Sequence, residues 1–441
     1  MLLVCRFALC ESEISCFKQG GNTQFSRFMS YVFINHQFIY ENVIDLKDQL
    51  SMRKLDLAFY LERIAKRSIQ KREIYDLFNN LDIDILILLA RTIRGYYKNG
   101  PITYSRKVFI DLVNLCRDTC SYCTYKKEPR ESGLSMLNPD KVIEIAELGK
   151  KFHCTEALIV TGESPEQKYS EVRNWLKTHG CCSTIEYVDK VSDLILKKTG
   201  LLPHTNAGTL SAKELAILRQ TNVSLGCMLE SSSGRLAGRN MPHEYAPSKN
   251  PRARRRTLEN AGRLKIPITT GLLIGIGENS DEILESLFML KDINDEYGNI
   301  QEVIIQNFVP KSDTPMRNIA GPPLEYLIRA IAISRIILPD MNIQVPPNLN
   351  PIYFGNFLNC GINDWGGISP VTIDHVNPES PWPKIEDLTA ITEHAGHRLR
   401  PRLPVYPEFI IKGRDFINDN LWQYVRSLSG PDGLVSEEYL K

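Results

Sequence analysis

Between Gly100-Pro101 and about residue 375, apolar runs of strand length alternate with longer amphipathic stretches, and this alternation restricts the chain more than any other feature. The runs predict strands at 108–115, 157–160, 201–205, 223–228, 268–276, 302–308 and 343–345. The stretches between them predict helices at 139–151, 185–199, 211–219, 252–264, 280–296 and 323–337. Ser211 followed three residues later by Glu214 has capping-box spacing, in which hydroxyl and carboxylate satisfy free amides of a helix's first turn. Strands separated by helices pair in parallel, because a parallel return needs a crossover. Seven such units over about 270 residues predict an α/β fold, a (β/α) barrel of TIM type, closed or partial.

The flanks read differently. Leu46, Leu50, Leu55, Leu61, Ile64, Ile85, Leu86, Leu88, Leu89 and Ile93 recur at near-helical spacing among charges, which predicts an N-terminal helical extension. The expected division is an extension over 1–70, a barrel over 71–375 and a proline-rich tail over 376–441 packed on the barrel. Residues 1–38 carry Arg6, Lys18 and Arg27 against Glu11 and Glu13, a faint organellar-transit composition set against a plain extension without function. About 190 of the 441 residues are hydrophobic, which excludes disorder as the main state. A net charge of +1 provides no overall field for nucleic acid or an anionic membrane, and the apolar run 326–339 is interrupted by Arg329 and Arg335. Eleven cysteines are too few for a disulfide scaffold and an odd number, so a reducing, cytoplasmic compartment is expected.

The first strand runs directly into Cys116-Arg117-Asp118-Thr119-Cys120-Ser121-Tyr122-Cys123. Three thiolates on one tight loop suit three irons of a 4Fe-4S cubane and leave the fourth iron open to a small chelator such as S-adenosylmethionine. Barrels of this kind build their active sites at the C-terminal ends of their strands, where this loop falls. A zinc site is the alternative and needs a fourth ligand, for which His153 and Cys154 are the next candidates along the chain. A non-enzymatic zinc-binding protein is the corresponding second reading of function.

The Cys-x3-Cys-x-aromatic-Cys pattern, with Tyr122 as the aromatic, resembles the radical S-adenosylmethionine superfamily. Val160-Thr161-Gly162-Glu163 is similar to that family's Gly-Gly-Glu element, with Thr161 in place of the first glycine. Gly271-Leu272-Leu273-Ile274-Gly275 is similar to its glycine-flanked strand beside the adenine. Over about residues 75–430, longer runs such as 227–232, 269–278, 301–308, 346–349 and 364–370 resemble the first-subunit (CofG) family of 7,8-didemethyl-8-hydroxy-5-deazariboflavin synthases. That resemblance implies a radical lyase that forms the deazaflavin chromophore from a hydroxybenzyl-ribityliminouracil adduct, with loss of ammonia and ring closure. It also implies a companion adduct-forming subunit of the CofH type and an electron donor. Related radical barrels of other cofactor pathways (CofH-like, menaquinone, thiamine or biotin type) are the nearest alternatives.

Site residues follow from both lines of reasoning. Cys116, Cys120 and Cys123 are the metal ligands; Tyr122, Gly162, Glu163, Glu230, Gly271 and Gly275 are the cofactor-binding candidates. Asn206, Gln306, Asn307 and Asn348, each close behind an apolar run, are the candidates for substrate binding. Lys311, Asp364, Asp374 and His375 are candidates for proton transfer by residue type. Arg252, Arg254, Arg255 and Arg256 are expected to form a solvated face at a helix start.

Overall fold

The computed structural model describes residues 59–411 and 415–440. The expected readings on 1–38, and on the part of the helical pattern before residue 59, lie outside the described residues. Two amphipathic helices lead in, α1 (Lys71–Asn80) and α2 (Ile83–Tyr97). Ile74, Leu77 and Phe78 of α1 and Leu86, Leu89 and Ile93 of α2 join the main apolar core.

Eight parallel strands follow: β1 (Ile102–Val113), β2 (Glu156–Thr161), β3 (Leu202–Asn206), β4 (Ser224–Gly226), β5 (Ile268–Ile274), β6 (Ile300–Asn307), β7 (Ile343–Gln344) and β8 (Asp364–Ile368). Each pairs with the next, and β8 returns to β1, so the barrel is closed. The outer ring includes α3 (Pro139–Lys151), α4 (Thr184–Thr199), α5 (Ala212–Leu218), α6 (Pro251–Arg263), α7 (Ser280–Tyr297) and α8 (Leu324–Ile337). The Ser211–Glu214 capping box forms as its spacing predicts. Among the described residues no helix is long and apolar enough to cross a membrane. The two arginines that interrupt the apolar α8 hold carbonyls instead: Arg329 takes those of Phe78 and Leu81, and Arg335 those of Gly361 and Met341.

Two strands were not expected. Asp364-Trp365-Gly366-Gly367-Ile368 carries a glycine pair that reads locally as a turn, yet it closes the barrel as β8. Beyond α9 (Ile385–His394), β9 (Leu399–Arg402) pairs in parallel with the start of β1, from Ile102 to Ser105. It carries Arg402 beneath the barrel. There Arg402 donates to Asp364 at 2.7 and 3.1 Å and to Glu302 at 3.1 Å, and its guanidinium lies 4.0 Å from the Tyr406 ring centre. Tyr406 also donates its hydroxyl to Glu302 at 2.8 Å. The C-terminal segment thus plugs the N-terminal end of the barrel with a polar network, while the other end stays open.

Candidate active site

At the C-terminal ends of the strands a cavity of about 350 Å³ opens into the barrel. Cys116, Cys120 and Cys123 line it, all free thiols on the loop after β1. Close approach of the next loop holds them. The Glu163 amide donates to Cys116 Sγ at 3.2 Å, and the Arg117 amide to the Glu163 carbonyl at 2.8 Å. A Cβ on Gly162 would fall 1.9 Å from the Leu115 carbonyl oxygen, so only glycine permits this contact. Buried Asp118 ties the far side of the loop by accepting from the amide and hydroxyl of Ser248.

Glu163 is 5% exposed and accepts from the amide and hydroxyl of Thr209. Gly208 at φ +78° brings that turn in, and a Cβ there would fall 1.8 Å from the Glu163 carboxylate. Arg117 and Arg254 flank the same carboxylate at 3.5 and 4.0 Å. Glu230 stands just beyond β4 at φ +64°, a conformation non-glycine residues rarely hold. Its backbone bonds to Gly271 and Leu273 enforce that geometry. Burial pushes its carboxyl up, but the Lys249 ammonium paired with it, with Arg254 beyond, outweighs burial and holds it below the ordinary value. The Tyr122 hydroxyl shares a hydrogen bond with His243 Nε2 at 3.1 Å. Burial, reinforced by Lys249, pushes His243 down to about 4 and keeps it neutral.

Asn206, Gln306, Asn307 and Asn348 also line this cavity, so all four expected amides meet there. Asn348 donates to Asp374 at 3.0 Å, while its own side-chain oxygen is buried without a partner. Lys311 also lines the cavity but is engaged with the Val376 carbonyl and the Asn377 side chain, which lies at 2.9 Å. Asp374, another lining residue, accepts from Asn348, Asn377 and the amides of the loop it starts.

Other candidates fall elsewhere. Asp364 is fully buried at the plugged end, paired with Arg402, and has no access to the cavity. His375 lies outside the lining, 5.1 Å from the Phe109 ring, with Nδ1 3.9 Å from Asp111. Gly271 and Gly275 do not line the cavity either. Gly271 lets β5 approach β6, where a Cβ would fall 2.2 Å from the Ile304 carbonyl oxygen, and Gly275 at φ +96° donates to Glu278 at 2.6 Å. The expected arginine face splits: Arg252, Arg255 and Arg256 are exposed, but Arg254 is buried. Arg254 donates to the Ser248 and Met228 carbonyls at 2.9 and 3.2 Å.

Sequence reasoning missed Lys107, Thr209, Lys249, Arg254 and Trp382, all beside the site. Arg254 had a usable signal, since it shares a helix face with the buried Thr257, Leu258 and Ala261. Lys107 fell outside the expected first strand, which begins six residues earlier than predicted.

A closed parallel barrel whose first strand delivers three cysteines to a cavity at the strands' C-terminal ends has the architecture of a radical S-adenosylmethionine enzyme, and residues 110–290 match the Radical SAM superfamily. The 7,8-didemethyl-8-hydroxy-5-deazariboflavin synthase of Methanopyrus kandleri is 45% identical over 334 residues, covering 76% of this chain and 99% of that one. The chain belongs to that protein's family. FO synthase of Streptomyces coelicolor is 46% identical over 346 residues, 77% of this chain, which spans 40% of that longer protein. Among solved structures, the FeFe-hydrogenase maturase HydG from Carboxydothermus hydrogenoformans shares the fold, with a TM-score of 0.61 at 18% identity over 95% of this chain and 98% of that one.

Radical S-adenosylmethionine enzymes use a 4Fe-4S cluster and S-adenosylmethionine, and the residues present fit that pair. Burial pushes the Cys116 and Cys120 thiols up to about 11 and about 12, and neighbouring Cys123 adds like charge to both. Several thiolates accumulate in such a place only around a cationic centre. The zinc alternative needs a fourth ligand, and neither of its candidates, His153 and Cys154, lines the cavity with the triad.

Proposed function

We propose that this chain forms the 8-hydroxy-5-deazaflavin chromophore from a hydroxybenzyl-ribityliminouracil adduct, by hydrogen abstraction, loss of ammonia and ring closure. When bound, the reduced cluster and S-adenosylmethionine supply the electron and the 5′-deoxyadenosyl radical that this chemistry needs. Cys116, Cys120 and Cys123 would hold the cluster. Glu163, fixed by Thr209, and Glu230, fixed by Lys249, offer acceptors for the amino group and ribose hydroxyls of S-adenosylmethionine. Tyr122, braced by His243, packs with Leu236, Leu273, Ile276, Phe308 and Met316 and shields the cysteine loop from water. Asn206, Gln306, Asn307 and Asn348 would bind the ribityl hydroxyls and the pyrimidinedione. Lys311 is placed to move a proton if it leaves its loop partners, and burial holds its ammonium below the ordinary lysine value.

The observation that carries this reading is the convergence of the cysteine triad and the four amides on one cavity, in a chain of this family. As the family resemblance implies, the adduct would come from a CofH-type companion and the electron from a separate donor. We place it in the cytoplasm, where the free thiols of the described cysteines stay reduced. We assign the chemistry to 71–375, with 376–441 as a tail packed on the barrel and 1–70 as an extension.

The test is anaerobic incubation of the reconstituted protein with S-adenosylmethionine, a reductant and the adduct. Deoxyadenosine and a fluorescent deazaflavin in equal amounts are expected. Deoxyadenosine without deazaflavin would move the chain to another radical reaction, and absence of both from iron-loaded protein would refute the reading.

A further inference from the structure

Lys107 projects from β1 into the cavity wall with only 8% of its surface exposed. A lysine so buried ordinarily has a carboxylate beside it. Among the described residues Lys107 makes no ion pair with a carboxylate and no hydrogen bond, and its Nζ opens to the cavity. Its close neighbours are aromatic: Nζ is 4.9 Å from the Trp382 ring centre and 5.7 Å from that of Phe109. Burial holds its ammonium below the ordinary lysine value, with Glu156, Asp374 and Glu302 opposing this from farther off and Arg402 adding to it. The side chain lies across β8 where residue 367 is glycine; a Cβ there would fall 2.4 Å from its Cδ, Cε and Nζ. The backbone is cut away to admit this lysine, yet the fold supplies nothing for its ammonium to hold.

An ammonium has three donors and no acceptor, so its missing partner must bring an oxygen or nitrogen lone pair. Two aromatic side chains flank the position, which favours a flat ring there. An anionic or acidic oxygen on that ring gains most, because no fixed carboxylate competes for the charge. We propose that Lys107 is the residue that orients the substrate, its ammonium taking the acidic oxygen of a planar ring seated against Trp382 and Phe109. This assignment rests on the reading of function above, under which the substrate offers two such rings, a phenol and a pyrimidinedione.

The test measures binding rather than turnover, on the full chain reconstituted with iron and sulfide and saturated with S-adenosylmethionine. The probes are 4-ethylphenol, its methyl ether as a control, and 6-ribitylaminouracil, titrated calorimetrically. Lys107→Met keeps the length of the side chain and removes its charge. Loss of one charge-assisted hydrogen bond weakens the probe that reaches Lys107 by roughly 10- to 100-fold. Weakened 4-ethylphenol with unchanged ether assigns the phenol, and weakened 6-ribitylaminouracil assigns the pyrimidinedione.

Iron content and affinity for S-adenosylmethionine stay at the wild-type level. The thermal midpoint holds or rises, because an unpartnered buried charge has been removed; a purely structural lysine would lower it. Gly367→Ala is the independent variant, since its methyl group displaces the lysine without touching its charge, and it weakens the same probe. Unchanged affinity for both probes in both variants overturns the assignment. Wild-type protein that holds S-adenosylmethionine but neither probe overturns the functional reading along with it.

Discussion

Replacing Asp364 by Asn and Glu302 by Gln, one at a time, separates two carboxylates that look equivalent in sequence and share a single cation beneath the barrel. One guanidinium faces two carboxylates: Arg402 gives Asp364 two hydrogen bonds, at 2.7 and 3.1 Å, and Glu302 one, at 3.1 Å. Burial raises Glu302 to about 7 although Arg402 opposes this, and Asp364 adds like charge. Asp364→Asn leaves the buried guanidinium without its main counterion, which costs about 3–5 kcal/mol. Glu302→Gln retains an oxygen for Arg402 and Tyr406, turns its amide toward the Thr269 hydroxyl that donates to the wild-type carboxyl, and costs less than about 1 kcal/mol at neutral pH.

The pH dependence has a definite sign. An acid whose folded value lies above its unfolded one stabilises the fold fully below about 4.5, and that stability is lost as pH rises through about 7. The interval corresponds to roughly 3 kcal/mol. Urea midpoints of the wild type should therefore fall relative to Glu302→Gln between pH 5 and pH 8.5, while Asp364→Asn is destabilised at both. Equal costs for the two substitutions, or a gap between wild type and Glu302→Gln that ignores pH, would refute the account. Neither substitution should alter affinity for S-adenosylmethionine in folded protein, because the network lies at the end of the barrel away from the cavity.

Two further outcomes are expected. Gly208→Ala places a methyl group against the Glu163 carboxylate in a left-handed turn and should weaken S-adenosylmethionine binding at least about tenfold by equilibrium dialysis, with a stability cost near 1 kcal/mol. Burial pushes His204 down to about 4, so its neutral form stabilises the fold above its unfolded value of 6.5, and this is lost as pH falls towards 4. His204→Gln should remove roughly 3 kcal/mol of that acid sensitivity, read as flatter urea midpoints between pH 6.5 and 4.

Much of this architecture was legible along the chain. Strand–helix alternation determined a parallel α/β barrel because each strand and helix satisfies its own backbone locally, and the two periods differ. The cysteine triad was equally legible, since its three sulfurs sit on one loop and need no distant partner to be brought together. β8 is hidden in the sequence because Gly366 and Gly367 resemble a turn, whereas in the fold Gln344 lies against the first and Lys107 against the second. Arg402, Arg254 and Lys107 are hidden for the same reason: a charge's environment depends on residues far away in sequence. Arg402 meets Asp364 across 38 residues and Glu302 across 100, and Lys107 meets Trp382 across the whole barrel. Such pairings leave no periodic trace, because the energy of a buried charge is set by what surrounds it in three dimensions. The sequence by itself thus determined the barrel and its three-cysteine loop, and only the tertiary structure decided which polar side chains face the cavity and which plug the opposite end.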